Sequence, residues 1–296
     1  MPLHEFSPGL FVRSFLALQH IDPGFTAEGV LAGWVSVPQE SYPDAPRQEA
    51  FQRAWLERIQ ALLEVESAGL ANLLPLSGQQ HNCFDIEGRT LDPSEQLPAV
   101  QYRAVSAHYL RTLRARLLQG RMLQESDDRQ APWALVINQT FARLYWPHGN
   151  ALGKRLRVHA KEAQWATIVG ILDDLHETGI PTAAQPTAYW ALTQRPALHL
   201  GLVVRPTTVP LESLRPSIEA ARAVDKDIPL HDVAPLTRVV NDSLGARRLS
   251  ALRMGLFAGA AWLLAALGIA GVKPRARAAC SIDTHLTRHL AALRAA

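Results

Sequence analysis

The sequence predicts an α+β fold: a split ferredoxin-like (βαβ…βαβ) subdomain with an inserted mainly-β subdomain, followed by one transmembrane helix. Three observations lead there. A strand-helix-strand pattern occupies residues 30–74, and a similar one recurs at 198–233. About 120 residues lie between them, too many for a loop in a compact domain. Residues 254–272, "MGLFAGAAWLLAALGIAGV", are nineteen positions without a charge.

The elements follow in order. Residues 11–18, "FVRSFLAL", are amphipathic and too short to span a bilayer. "DPGF" at 22–25 is a turn, with Pro23 fixing φ and Gly24 supplying freedom. Val30–Val37 is rich in β-formers and reads as a strand. A helix opens near Arg47, because Phe51, Trp55, Ile59, Leu62 and Leu63 share one helical face. Ser67–Leu73 closes the first unit as a strand. In the later unit Leu198, Leu200, Leu202 and Val204 alternate with other residues at strand period. Leu211, Leu214, Ile218 and Ala221 make a helical face, and Ile228–Val233 makes the closing strand. Two such units in series predict the ferredoxin-like arrangement.

The insertion carries its own elements. "AVQYRAVSAHYLRTL" reads as strand then helix, and "WALVIN" as a strand ending at Asn138. Asn138 is a suitable N-cap for "QTFARLYW", which Pro147 stops. Trp165–Leu172 and residues 187–192 are further strands. The expected organisation is therefore a juxtamembrane segment at 1–28 and the split unit at 29–79 plus 198–234. The insertion follows at 80–197, a helical connector at 235–253, the span at 254–272 and an atypical tail at 273–296.

Nineteen helical residues rise about 28 Å, close to the hydrocarbon thickness of a bilayer. The expected span starts at Met254, ends at Val272, and includes Trp262 and Gly268. Gly255 and Gly259 form a GxxxG pair, which lets membrane helices approach closely. Arg253 and Lys273 bound the run. Downstream basic residues slightly outnumber upstream ones, which leans towards a cytoplasmic tail. Residues 1–8 hold no Lys or Arg and Arg13 cuts the apolar run Gly9–Val12, so no signal peptide is expected.

Charge and motifs narrow the chemistry. The net charge of +3 comes from 30 basic and 27 acidic residues scattered among one another, so no nucleic-acid partner is expected. Cys83 and Cys280 belong to no CxxC pair, which removes zinc and thioredoxin-type readings. Asp173, Asp174 and His176 sit at a strand end, where they could bind metal or move protons. No second cluster completes such a site, and polar residues naturally mark the start of a loop. "ESDD" at 125–128 lacks the glycine and closing Glu of a calcium loop and reads as an exposed acidic turn. His81 and Cys83 flank Asn82 in an expected loop, where adjacent positions rarely give a nucleophile and its base. Ser77-Gly78 lacks the G-x-S-x-G elbow, and no P-loop is present. No catalytic, cofactor or metal residue is expected.

Several stretches resemble a known family. They are "DPGF", "VSAHYLRTLRARLLQGRML", "APWALVINQTFARLYWPHGNALGKRL", "ATIVGILDDL" and "RRLSALRMGLFAGAAWLLAALGIAGV", in that order. Together, over about residues 11–272, they resemble the extracytoplasmic core domain of MacB/FtsX-type ABC transporter permeases, running into a permease membrane helix. The spacing resembles the variant with a duplicated permease half. The resemblance implies a non-enzymatic subunit of the cell inner (cytoplasmic) membrane, with its large domain facing the extracytoplasmic side. It implies a permease homodimer or heterodimer mate, contact with the lipid bilayer, and a partner ABC ATPase subunit that binds the ATP. It also implies mechanotransmission, in which closure on the cytoplasmic side moves the outer domains. Under this reading Leu249, Leu252 and Leu256 are candidate coupling contacts by helical spacing. Family helices expected before residue 11 and after residue 272 are not matched, so a truncated or frameshifted copy is expected. The alternative is a tail-anchored envelope module that binds a partner, with a pocket between its subdomains.

Overall fold

The computed structural model describes residues 23–89, 99–160, 163–177, 183–207, 210, 214, 218, 228–242, 255–257, 259–261 and 264. The chain divides into two compact units, Met1–Ser243 and Leu244–Ala296.

In the first unit β1 (Leu31–Ser36), α1 (Ala45–Gln60) and β2 (Val65–Ala71) follow one another. Asp44 caps α1 by accepting from the Arg47 N–H at 2.9 Å, which satisfies an orphan donor of the first turn. Phe51, Trp55 and Ile59 are buried on one face, as their spacing requires. The expected face extended to Leu62 and Leu63, but the helix ends at Gln60. The chain turns there, with the Val65 N–H donating to Leu62 O at 3.0 Å. Leu62 stays at the margin of the core, whereas Leu63 is 94% exposed.

β10 (His199–Pro206) inserts between the two earlier strands, and β11 (Leu230–Pro235) adds outside β1. The order is β11-β1-β10-β2, every pair antiparallel. Leu200, Leu202 and Val204 of β10 join the cluster that contains the α1 face. Val203 points the other way, into a second cluster with Ala32 and Ala71. The ladder is therefore covered on both faces. Leu214 and Ile218 are helical and buried, while Leu211 and Ala221 lie outside the described residues.

The insertion holds β3 (His81–Ile86), β4 (Ala99–Val105), α2 (Tyr109–Thr112), β5 (Leu117–Gly120) and β6 (Ala134–Asn138). It continues with α3 (Gln139–Tyr145), β7 (Arg155–Val158), β8 (Ala166–Leu172) and β9 (Thr187–Ala191). Pairing runs β4-β3-β7-β8-β6-β9, and β9 then pairs β4 again, so six strands close on themselves. The β4–β9 and β6–β8 pairs are parallel and the other four are antiparallel. So small a ring leaves only enough interior for side chains. Alternate residues of its strands, among them Phe84, Tyr102, Ile137, Leu156, Ile168 and Trp190, fill it. The Phe84 and Trp190 rings stack at 6.0 Å.

His81 and Cys83, expected in a loop, lie instead on β3. The alternation Phe84 in, Asp85 out, Ile86 in is what makes this stretch a strand. Asn138 caps α3 as expected, its Oδ1 accepting from the Phe141 N–H at 3.1 Å.

The connector is helical over residues 236–242, and the rest of 235–253, with Leu249 and Leu252, lies outside the described residues. In the second unit Gly255, Leu256, Phe257, Gly259, Ala260, Ala261 and Leu264 are helical and exposed. Among the described residues no helix is long and apolar enough to cross a membrane. Met254, Trp262, Gly268 and Val272 lie outside them.

Candidate functional site

The strand-end carboxylates have structural partners. Asp174 accepts from Asn138 Nδ2 at 2.8 Å, from the Thr140 N–H at 2.9 Å and from Thr140 Oγ1 at 2.8 Å. Its charge thus satisfies the first turn of α3 beside the Asn138 cap. Asp173 pairs with the exposed Arg116 at 3.2 Å. The His176 N–H donates to Pro23 O at 2.9 Å, fastening this loop to the incoming chain. Gly24, at φ +77°, lets the two backbones meet, since a Cβ there would strike the Asp174 carbonyl.

The "ESDD" stretch makes its expected exposed turn at Glu125 and Ser126 and departs from it at Asp127. Asp127 is buried and accepts a bidentate pair from Arg121, both bonds 2.8 Å. Its Oδ2 also accepts from the Gln124 N–H at 2.8 Å. This pair holds the Arg121 guanidinium above its usual pKa, through the hydrogen bonds and the adjacent charge. His81 Nε2 lies 2.7 Å from Gln101 Nε2. Ser77 Oγ donates to Leu74 O at 2.7 Å. No group of three or more His, Cys, Asp or Glu is arranged for a metal among the described residues.

Two buried arginines tie the unit together. Arg103, in β4 beside Tyr102 and Ala104, is fully buried. Its Nε donates to Glu177 Oε2 at 3.3 Å, and its Nη2 to Gly78 O at 3.0 Å. Tyr189 Oη donates to Glu177 Oε1 at 3.1 Å. Burial pushes the Tyr189 and Tyr109 phenols well above their ordinary pKa, and the Glu177 charge adds to it. Sequence motifs did not point to Glu177. The burial of Arg103 calls for polar partners, but which groups supply them only the fold shows.

Arg205, at the end of β10, is 5% exposed. Its guanidinium donates to Thr112 O at 2.9 Å, and to Glu28 O and Thr26 O at 3.0 Å each. Burial lowers its pKa. Beside it, the Leu236 N–H donates to Val30 O at 2.8 Å. The segment that enters β1 and the segment that leaves β11 are therefore hydrogen-bonded neighbours, and Arg205 rivets the first of them to the sheet. Leu256, the described member of the candidate coupling set, is helical and exposed.

The fold and these sites define a structural domain whose buried charges fasten backbone segments to one another. The chain belongs to the MacB-like periplasmic core domain family, whose model matches residues 35–221. That family is a component of transporter permeases. The periplasmic region of MacB from Actinobacillus actinomycetemcomitans is similar, with 11% identity and a TM-score of 0.48. The likeness covers 73% of this chain and 93% of that one. The extracellular domain of the noncanonic ABC-type transporter YknZ from Gram-positive bacteria is also similar, with 10% identity and a TM-score of 0.44. It covers 68% of this chain and 100% of that one. No curated protein sequence matches the chain.

Proposed function

We propose that this chain is the extracytoplasmic core domain and a membrane helix of an ABC permease subunit, working by mechanotransmission with a separate ATPase. The observation that carries the proposal is the adjacency of residues 23–30 and 236–242 at one edge of the sheet, joined by the Leu236–Val30 bond, with Arg205 clamping the first segment through Thr26 and Glu28. A displacement of either segment acts on the same edge and moves the whole ladder. The interleaved strand order supports reading 29–79 plus 198–234 as a split ferredoxin-like subdomain and 80–197 as its insertion. In this proposal residues 254–272 span the inner membrane, and Leu249, Leu252 and Leu256 carry motion between helix and domain. A permease mate completes the dimer, and the ATPase subunit holds the ATP.

The test is fractionation and copurification of the tagged chain with an ABC ATPase encoded beside it. Membrane partition and ATPase recovery are expected. A chain found in membranes that never recovers an ATPase would favour the second reading, an anchored binding module. That reading is favoured by one observation, a hollow between α1 and the segment after β5.

A further inference from the structure

The chain crosses from ladder to ring over residues 72–80, between β2 and β3. Pro75 and Leu76 are the central residues of a tight turn there, which the Ser77 N–H closes by donating to Leu74 O at 3.2 Å. Leu76 takes φ +63°. A positive φ at the second central position is the type II pattern, which normally calls for Gly or Asn because a Cβ crowds the backbone. Of the three non-glycine residues with positive φ among the described residues, Leu76 is the only apolar one. Contacts from both sides hold the strained turn. On the ladder side, Leu74 is buried against Gly201 of β10, where a Cβ would strike its side chain. On the ring side, the Leu76 N–H donates to Glu177 O at 2.9 Å, and Arg103 Nη2 donates to Gly78 O at 3.0 Å. Leu76 itself packs against the second core cluster. Glu177 ends the loop 173–177, whose His176 N–H bonds Pro23 O and whose Asp174 carbonyl lies against Gly24. One short loop therefore touches both the segment that enters β1 and the strained turn.

We infer that the 74–77 turn is a strained joint between ladder and ring, latched by Glu177, and that the 173–177 loop transmits displacement of the incoming segment to it. A Leu at positive φ persists only where its surroundings over-determine it. Here those surroundings include a bond to a loop that the incoming segment positions. A shift of that segment moves Glu177, the Leu76 N–H loses its acceptor, and the turn relaxes towards negative φ. Relaxation changes the direction in which the chain leaves β2, and with it the setting of the ring on the ladder. The buried Arg103–Glu177 pair limits the travel of the loop, because separating two buried charges is costly. The use of the joint, to pass on motion that arrives from the membrane, rests on the transporter reading; the latch itself does not.

Hydrogen exchange of the purified full chain, read by mass spectrometry over residues 72–80, tests the coupling. Gly24→Ala pushes the Asp174 carbonyl away from the incoming segment. It is expected to speed exchange of 72–80 about tenfold or more, with β6 unchanged. Gly153→Ala places the same side chain at a glycine of similar φ, +78°, with open space around it, and is expected to leave 72–80 as it was. Arg103→Met with Glu177→Leu loosens the same turn from the ring side without leaving a charge buried, and is expected to speed the same segment even where Gly24→Ala unfolds the chain. Leu76→Gly and Leu76→Ala test the strain by thermal melts followed by circular dichroism. The Gly variant is expected to melt about 2–4 °C above the Ala variant, the reverse of their order at an ordinary position. Unchanged exchange of 72–80 in either folded variant, an equal effect of Gly153→Ala, or an Ala variant that melts at or above the Gly variant overturns the inference. None of these outcomes involves an ATPase or a membrane, so they leave the transporter reading to its own test.

Discussion

The four-stranded ladder and the six-stranded ring solve the problem of sheet edges differently. Among the described residues the ladder ends on β11, which pairs with no strand on its outer side. A bulge falls opposite the Ala32–Trp34 stretch, Asp232 takes φ +52°, and Pro235 closes the strand. These features twist the edge and remove a donor, which discourages pairing with another chain. The ring has no edge, because β9 returns to β4. Its coherence comes from a packed interior, and that of the ladder from helices on its faces and the buried Arg205 at its margin. The ladder is the part hydrogen-bonded to the segments that enter β1 and leave β11.

This contrast can be broken or sharpened experimentally. The largest effects fall on the buried groups. Arg103→Ala removes the cation that Glu177 requires and is expected to cost about 3–5 kcal/mol. Arg103→Met with Glu177→Leu is expected to cost far less, because no charge is left buried alone; urea unfolding measures both. Equal losses for the two variants would mean that packing, not charge pairing, holds this junction. Trp190→Ala empties the centre of the ring and is expected to cost about 3–5 kcal/mol. Both regions lie in one compact unit, so a single unfolding transition is expected for this variant. Two separated transitions would show the ring and ladder to be independent.

Smaller effects are titrations. The Tyr189 and Tyr109 phenols are raised above their ordinary value by burial and by Glu177. Their contribution is thus complete below about pH 10, the unfolded value, and is lost as pH rises towards the folded ones. Tyr189→Phe is expected to lose about 1 kcal/mol at neutral pH, from one hydrogen bond, and to show a shallower alkaline decline. The smallest effect is on the outside of the ring. Burial acts upward on Asp85, but hydrogen bonds from His159 and Arg157 outweigh it and hold its carboxyl below the usual range. That contribution is present above the unfolded value near 4 and is lost as pH falls through the folded one. Asp85→Asn is expected to cost about 0.2–1 kcal/mol at pH 7 and to lessen acid sensitivity, measured by thermal melts from pH 3 to 7.

The ladder was legible in the sequence because its elements are long and periodic. The α1 face at Phe51, Trp55 and Ile59 and the alternation at Leu200, Leu202 and Val204 each announce one period. The ring was not legible as a ring. Its closure depends on parallel pairing of 99–105 with 187–191, which leaves no hairpin signal. Short strands such as β7, with Leu156 in and Arg157 out, carry too few residues to declare themselves. The burial of Asp127 was hidden because "ESDD" looks solvated until Arg121 is placed beside it. Arg103 is a similar case: only the fold shows its burial and its partner Glu177.

The most direct test of the account asks which side of the membrane each part occupies. His148 is exposed in the turn after α3, and Cys280 lies beyond the expected span. With Cys83→Ser, and with His148→Cys in place, a membrane-impermeant maleimide is applied to spheroplasts before and after permeabilisation. The account predicts labelling at 148 in intact spheroplasts and at Cys280 only after permeabilisation. Labelling at 148 only after permeabilisation would contradict it, because the domain would then face the cytoplasm.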